Sequence, residues 1–308
     1  MKNRRLHLII DLWKDSFKGF SENKIPKLGA SLAYYTVFSL GPLLIVIIFL
    51  CSLFLGREAV EGAVYEQIKG FVGDDGAHQV ENIIRNASVT GKGPVAAIIG
   101  IFTLLLGATT VFGEIQDSVN QVWGIRAKPK KNWLHLIKNR LLSFGIIGSL
   151  GFLLLVSLAI STLLDVLDHK LRSVLPDMTV VIFYIINLLI TLSITTLLFA
   201  VIFKVLPDAR IRWKEVWPGA LVTALLFMAG KFAISFYISK ASIGDTYGAA
   251  GSLVVLLVWV YYSSFILYFG AVFTKTYAIK QGRPILPDDY AVAIKKMEVN
   301  KGKAPIER

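Results

Sequence analysis

Six stretches of the chain, 28 to 55, 94 to 115, 141 to 164, 178 to 203, 216 to 238 and 248 to 274, are apolar over lengths that suit hydrocarbon. A helix needs about 20 mainly apolar residues to cross a core roughly 30 Å thick, and helices and closed barrels are the structures that pair all their backbone groups there. The expected fold class is therefore all-α: a polytopic membrane protein with six transmembrane helices. Composition agrees, because 55% of the 308 residues are hydrophobic and 18% charged, too apolar for a soluble domain of this size.

Lysine and arginine set the orientation, since cytoplasmic segments retain them. Residues 1 to 27, 116 to 140, 204 to 215 and 275 to 308 hold 25 of the 33, whereas 56 to 93, 165 to 177 and 239 to 247 hold 7. Both termini are thus expected in the cytoplasm, N-in and C-in. The net charge of +12 then belongs to one face, and it carries little evidence for a nucleic-acid partner, which is not expected. Trp13, Trp123, Trp133, Trp213 and Trp217 lie in or beside the basic segments, where an indole ring anchors at headgroup level.

The organisation that follows has three parts. Residues 1 to 27 carry Leu6, Ile9, Ile10, Trp13, Phe17 and Phe20 at helical spacing, the pattern of an interfacial amphipathic helix or of a helix packed on the protein. The six-span domain occupies 28 to 280, with a helical hairpin expected over 56 to 93 on the outer side. Residues 281 to 308 read as a cytoplasmic surface tail. The first apolar run is too long for a signal peptide, so span one is expected to persist. Cys51 is the single cysteine, which excludes an intramolecular disulfide.

Span one is polar in its inner half. It passes Ser31, Tyr34, Tyr35, Thr36 and Ser39 and meets Gly41-Pro42 before becoming uniformly apolar. Pro42 cannot donate to the carbonyl of Phe38, so the helix is kinked, either against a cavity or simply within a packed bundle. Span six repeats the character with Tyr261, Tyr262, Ser263, Ser264 and Tyr268 at similar depth. These residues are candidates for a solvated layer open to the cytoplasm. Gly145, Gly148, Ser149 and Gly151 in span three, and Gly219, Ala220, Thr223, Ala224 and Gly230 in span five, are first of all packing signals.

Two further features draw attention. Glu114, Asp117 and Asn120 follow at i, i+3, i+6 and share roughly one helix face. They form either a polar network near the inner mouth, joined by Arg140 or Lys27, or a solvated helix end. Lys231 is the one basic residue well inside a span, about 10 Å from its outer end. An ammonium there snorkels toward Asp245 or finds polar partners at matching depth, Ser157, Ser161 and Asn187.

The blocks "GASLAYYTVFSLGPLL", "GEIQDSVNQVWGI" at 113 to 125 and "YGAAGSLVVLLVWVYYSSFILYFGAVFT" at 247 to 274 resemble the YihY/BrkB family of bacterial inner-membrane proteins. The resemblance covers nearly all of the chain up to about residue 280 and implies six helices and a multi-pass location in the inner membrane. It departs at one place: where the family pattern usually reads Gly-Ala-Glu, Gly270-Ala271 is followed by Val272.

The family once bore the label ribonuclease BN. Metal-dependent RNA hydrolysis wants clustered His and carboxylate ligands, whereas His7, His78, His135 and His169 lie in four separate extramembrane segments. No nucleophile triad or Walker-type glycine loop is present either. No catalytic residues, metal or cofactor are therefore expected, and the chain is not read as an enzyme. Two functions remain. One is a transporter or lipid-related exporter with a polar cavity open to the cytoplasm; the other is a non-transporting scaffold or envelope assembly factor. Expected partners are membrane lipids, a substrate of unknown identity and a second copy of the chain.

Overall fold

The computed structural model describes residues 2–39, 110–128, 178–240 and 251–294. Helix α1 runs over Lys2–Glu22, α2 over 25–39 and α3 over 110–123. Strand β1 is Ile125–Ala127, followed by α4 at Met178–Val205, β2 at Ala209–Arg210 and α5 at Trp213–Lys240. Helix α6 at Gly251–Lys280 leads to β3 at Leu286–Pro287 and β4 at Ala291–Ala293. Among the described residues, two helices are long and apolar enough to cross a membrane, over Leu188–Val205 and Leu253–Lys280. Span 141 to 164 and the hairpin at 56 to 93 lie outside the described residues.

The chain divides into two compact units: Met1–Asn23, Gln116–Ala224 and Tyr268–Arg308 in the first, Lys24–Ile115 and Leu225–Leu267 in the second.

In the first unit, α1 docks on the C-terminal part of α6 through aromatic rings. Trp13 stacks on Phe269 at 5.8 Å and meets Phe273 edge-on at 5.5 Å, and Phe17 lies 5.2 Å from Phe269. Asp15 pairs with Lys280 at 2.6 Å. The amphipathic segment therefore packs on the protein along one face while Leu8 and Ile10 stay exposed. It ends at Glu22 rather than at 27, because Lys24 adopts a left-handed backbone (φ 52°) and the Asn23 side chain donates to the Gly19 carbonyl at 2.7 Å. Val272, at the position of the family departure, is buried and faces this helix: a Cβ at Gly19 would lie 2.7 Å from its Cγ1. An apolar side chain suits that surrounding.

Helices α5 and α6 cross antiparallel through a repeated Gly-x-x-x-Thr step. Gly219 faces Thr274 and Gly270 faces Thr223, so close that an added Cβ would come within 1.8 Å and 1.9 Å of the respective threonine hydroxyls. Each hydroxyl donates to its own helix, Thr223 to the Gly219 carbonyl at 2.6 Å and Thr274 to that of Gly270 at 2.8 Å. No polar group is stranded where the backbones touch. In the second unit α2 meets α6 where Gly29 lies against Phe265, and α5 meets α6 where Phe227 sits edge-on to Trp259 at 5.9 Å.

The all-α expectation needs one correction. The segment after α6 forms two antiparallel pairs, β1 with β4 (Ile125↔Ala293, Ala127↔Ala291) and β2 with β3 (Ala209↔Pro287, Arg210↔Leu286). Gly282 (φ 70°) ends α6 in a Schellman turn, with Arg283 N–H on the Ala278 carbonyl at 3.0 Å. The chain then returns past the ends of α3 and α4, where backbone groups without helical partners are paired by strands. The fold is mostly helical, and the beginning of the expected surface tail is a structural clip.

Candidate functional site

At the heart of the clip is Asp208, 2% exposed. One carboxylate oxygen accepts from Asn120 Nδ2 at 2.7 Å. The other accepts from Gln116 Nε2 and from the Tyr290 hydroxyl, both at 2.8 Å. Asp208 N–H returns a bond to Asn120 Oδ1 at 2.9 Å, and its carbonyl accepts from Asp288 N–H at 3.0 Å. A buried carboxylate is tolerable when such donors replace its water. Burial, followed by the bond to Asp208, pushes the Tyr290 hydroxyl well above the ordinary tyrosine range.

Beside this hub lies a cleft of about 810 Å³, lined by the segment between α4 and α5 and by the chain after α6. Four cations line it, Lys204, Arg210, Arg212 and Arg283, against two acids, Glu215 and Asp288. Arg210 is engaged by Asp288 at 3.0 Å and by Asp289, which raises its pKa further, the Asp288 hydrogen bond contributing most. Glu215 caps α5: its Oε2 accepts the Arg212 N–H at 3.0 Å, the side-chain half of a capping box. Its Oε1 stands 3.6 Å from Arg283. Lys204 Nζ donates to the Ile211 carbonyl, a neutral acceptor. Among the described residues no acid pairs with Lys204 or with the Arg212 guanidinium. A second cleft of about 470 Å³ lies at the end of α3, with Asp117, Asn120, Gln121 and Arg126 in its wall. No group of three or more His, Cys, Asp or Glu that could hold a metal occurs among the described residues.

The sequence-derived candidates separate between the units. Tyr34, Tyr35, Ser39, Tyr261 and Tyr262 belong to the second. Tyr34 and Tyr35 are exposed, Ser39 donates to the Thr36 carbonyl at 2.9 Å, Tyr261 packs on Phe265 at 4.4 Å, and Tyr262 lies over Gly230. Tyr268 is fully buried in the first unit, part of its core rather than of a water-facing layer. Of the Glu114, Asp117, Asn120 face, Asn120 joins the hub, exposed Asp117 lines the smaller cleft and half-buried Glu114 falls in the other unit. The partners of Asn120 are Asp208 and, through it, Gln116 and Tyr290. Lys27 is exposed on α2; Pro42, Arg140, Ser157, Ser161 and Asp245 lie outside the described residues. Asn187 and Lys231 fall in α4 and α5, their side chains outside what is described.

Two of the tryptophans expected at headgroup level are structural instead. Trp123 is buried and donates to the Ala271 carbonyl at 2.9 Å, and Trp13 packs on Phe269. Trp213 and Trp217 stay half exposed, 6.4 Å apart. Sequence reasoning missed Asp208, Tyr290 and the cleft. Its signals are "LPDARIRWKE" and "GRPILPDDY", which along the chain read as a basic loop and a surface tail.

A family described as "Virulence factor BrkB" matches residues 16–291, a stretch that includes the hub and the cleft. The chain belongs to this BrkB family. A UPF0761 membrane protein of Tolumonas auensis is 27% identical over 268 residues, 82% of this chain and 81% of that protein. One of Haemophilus influenzae is 26% identical, with 84% of this chain and 92% of that protein covered. A longer relative in Saccharophagus degradans is 27% identical, and 85% of this chain covers 58% of it. No solved structure matches the chain. The chain is accordingly a membrane protein of the BrkB family.

Proposed function

We propose that this BrkB-family protein is a six-span, multi-pass transporter or exporter of the bacterial inner membrane, N-in and C-in, with a polar cavity open to the cytoplasm. The observation that supports this most is the cleft of about 810 Å³. It is lined by charged side chains and lies where α4, a helix of membrane-spanning length, gives way to a strongly basic segment. Positive-inside reasoning assigns that segment to the cytoplasm. The protein works without covalent catalysis, and with no ATP-binding motif in its sequence the movement is passive, ion-coupled or partner-driven. Lipids, and a second copy of the chain, are its proposed partners.

The alternative, a scaffold that transports nothing, draws on the complete burial of Tyr268 within packed helices. Reconstituted proteoliposomes decide between them. Protein-dependent flux of a solute, absent from empty vesicles, supports transport, whereas correctly folded protein that leaves a broad panel of polar and amphipathic solutes unmoved supports the scaffold. The polar layer expected on α2 and α6 is tested separately from the cleft: cysteines introduced by Tyr35→Cys and Tyr262→Cys should react with a membrane-impermeant thiol reagent supplied from the cytoplasmic side.

A further inference from the structure

We infer that the cleft between α4 and α5 is a binding site for the phosphomonoester group of an amphiphile, a dianion with an attached apolar body. The inference deepens the proposed function by naming the substrate class, and it rests on the membrane reading of α4. Its first support is charge. Of the four cations in the wall, Arg210 is consumed by Asp288 and Asp289, and Arg283 shares Glu215, whose other oxygen is committed to capping α5. Lys204 and Arg212 are left with full positive charge and no acid among the described residues. Two such cations on one wall match a dianion. Guanidinium supplies a planar fork suited to phosphate oxygens, and ammonium a point charge.

The second support is the rim. Val205, Trp213 and Leu286 line the same cleft and are each more than two-fifths exposed, at 44%, 44% and 58%. Val205 is the last residue of an apolar helix that also exposes Ile185, Ile186, Leu188 and Leu189. The wall that carries the uncompensated charges thus also presents apolar surface, and Trp213 is a ring of the kind that sits at headgroup level. A free phosphate ester would use the charges and leave the apolar rim idle; a phosphorylated lipid uses both.

The experiment measures binding to the full chain in detergent, with dioctanoyl phosphatidic acid as probe and glycerol 3-phosphate, dioctanoyl phosphatidylglycerol and dioctanoyl phosphatidylcholine beside it. Phosphatidic acid should bind at least about tenfold more tightly than phosphatidylcholine, and the preference should shrink as salt is raised. Arg212→Gln removes an exposed side chain while keeping the backbone N–H that Glu215 caps, so the fold is retained; it should weaken phosphatidic acid about tenfold. Adding Lys204→Gln should weaken it further. Glycerol 3-phosphate binding as tightly as the lipid would support the phosphate site but assign it to soluble esters. Equal affinity for phosphatidylcholine, equal affinity for the phosphodiester lipid, or an Arg212→Gln protein that melts and binds like the wild type would each overturn the inference. Binding without flux leaves the site standing while transport falls, and flux without binding does the reverse.

Discussion

Asp208 accepts three side-chain hydrogen bonds from groups far away in sequence, and what it does is fix geometry. Asp208→Asn keeps the shape but turns one acceptor into a donor facing donors, leaving at least one buried group unsatisfied. We expect a loss of about 2–3 kcal/mol, seen as a lower melting midpoint in detergent and as faster proteolysis of 281–294. Tyr290 adds a pH dependence of known sign. Its pKa is raised in the folded protein from the ordinary 10.0, so its contribution is fully present below about pH 10 and is lost as pH climbs through the raised value. The stability difference between wild type and Tyr290→Phe should therefore be flat from neutral to about pH 10, at roughly 1 kcal/mol, and shrink above it. A difference that shrinks already near neutrality would contradict this account.

Among helices, glycine divides into two kinds that a sequence does not separate. Gly219 and Gly270 are each pressed against a threonine of the opposite helix, and at Gly219 the backbone of Thr274 is also near, its Cα 3.2 Å from the position of an added Cβ. Gly219→Ala or Gly270→Ala forces α5 and α6 apart and should cost about 1–3 kcal/mol. Gly113 on α3 has nothing within 4 Å of that position, so Gly113→Ala should stabilise by about 0.5–1 kcal/mol through helix propensity alone. The three variants, compared by thermal unfolding in one detergent, should move in these opposite directions. At Gly230 the obstacle is the phenol end of Tyr262, which can swing away, so alanine there should cost less than at Gly219.

At the scale of the whole molecule, the chain after α6 is what closes the first unit. Residues 286–293 pair with β1 and β2, Lys128 N–H donates to the Tyr290 carbonyl at 2.8 Å, and Ile294 N–H donates to that of Gly124 at 2.7 Å. Ending the protein after Lys280 should expose both helix ends and lower the melting midpoint, with new protease cleavage within 124–128 and 206–212. Ending it after residue 294 removes none of these contacts and should lower the midpoint less. If both truncations behave alike, the clip contributes nothing to the closed state.

Hydropathy and helical spacing are local properties, so the apolar helices, the amphipathic first helix and the family were legible along the chain, as was the small-residue character of span five. Span five's partner was not, because Gly219 and Thr274 become neighbours only when two helices cross. The same holds for the site. Asn120 was visible as a polar residue on a helix face, but its partner Asp208 is 88 positions away, and Tyr290 lies in a segment whose Pro, Gly and acidic residues imitate a solvated tail. Charge counting placed four cations in one short segment. That Arg210 among them is neutralised was decided by Asp288 and Asp289, brought there after the turn at Gly282. An ion pair depends on distance in space, and the tertiary structure alone supplies that distance.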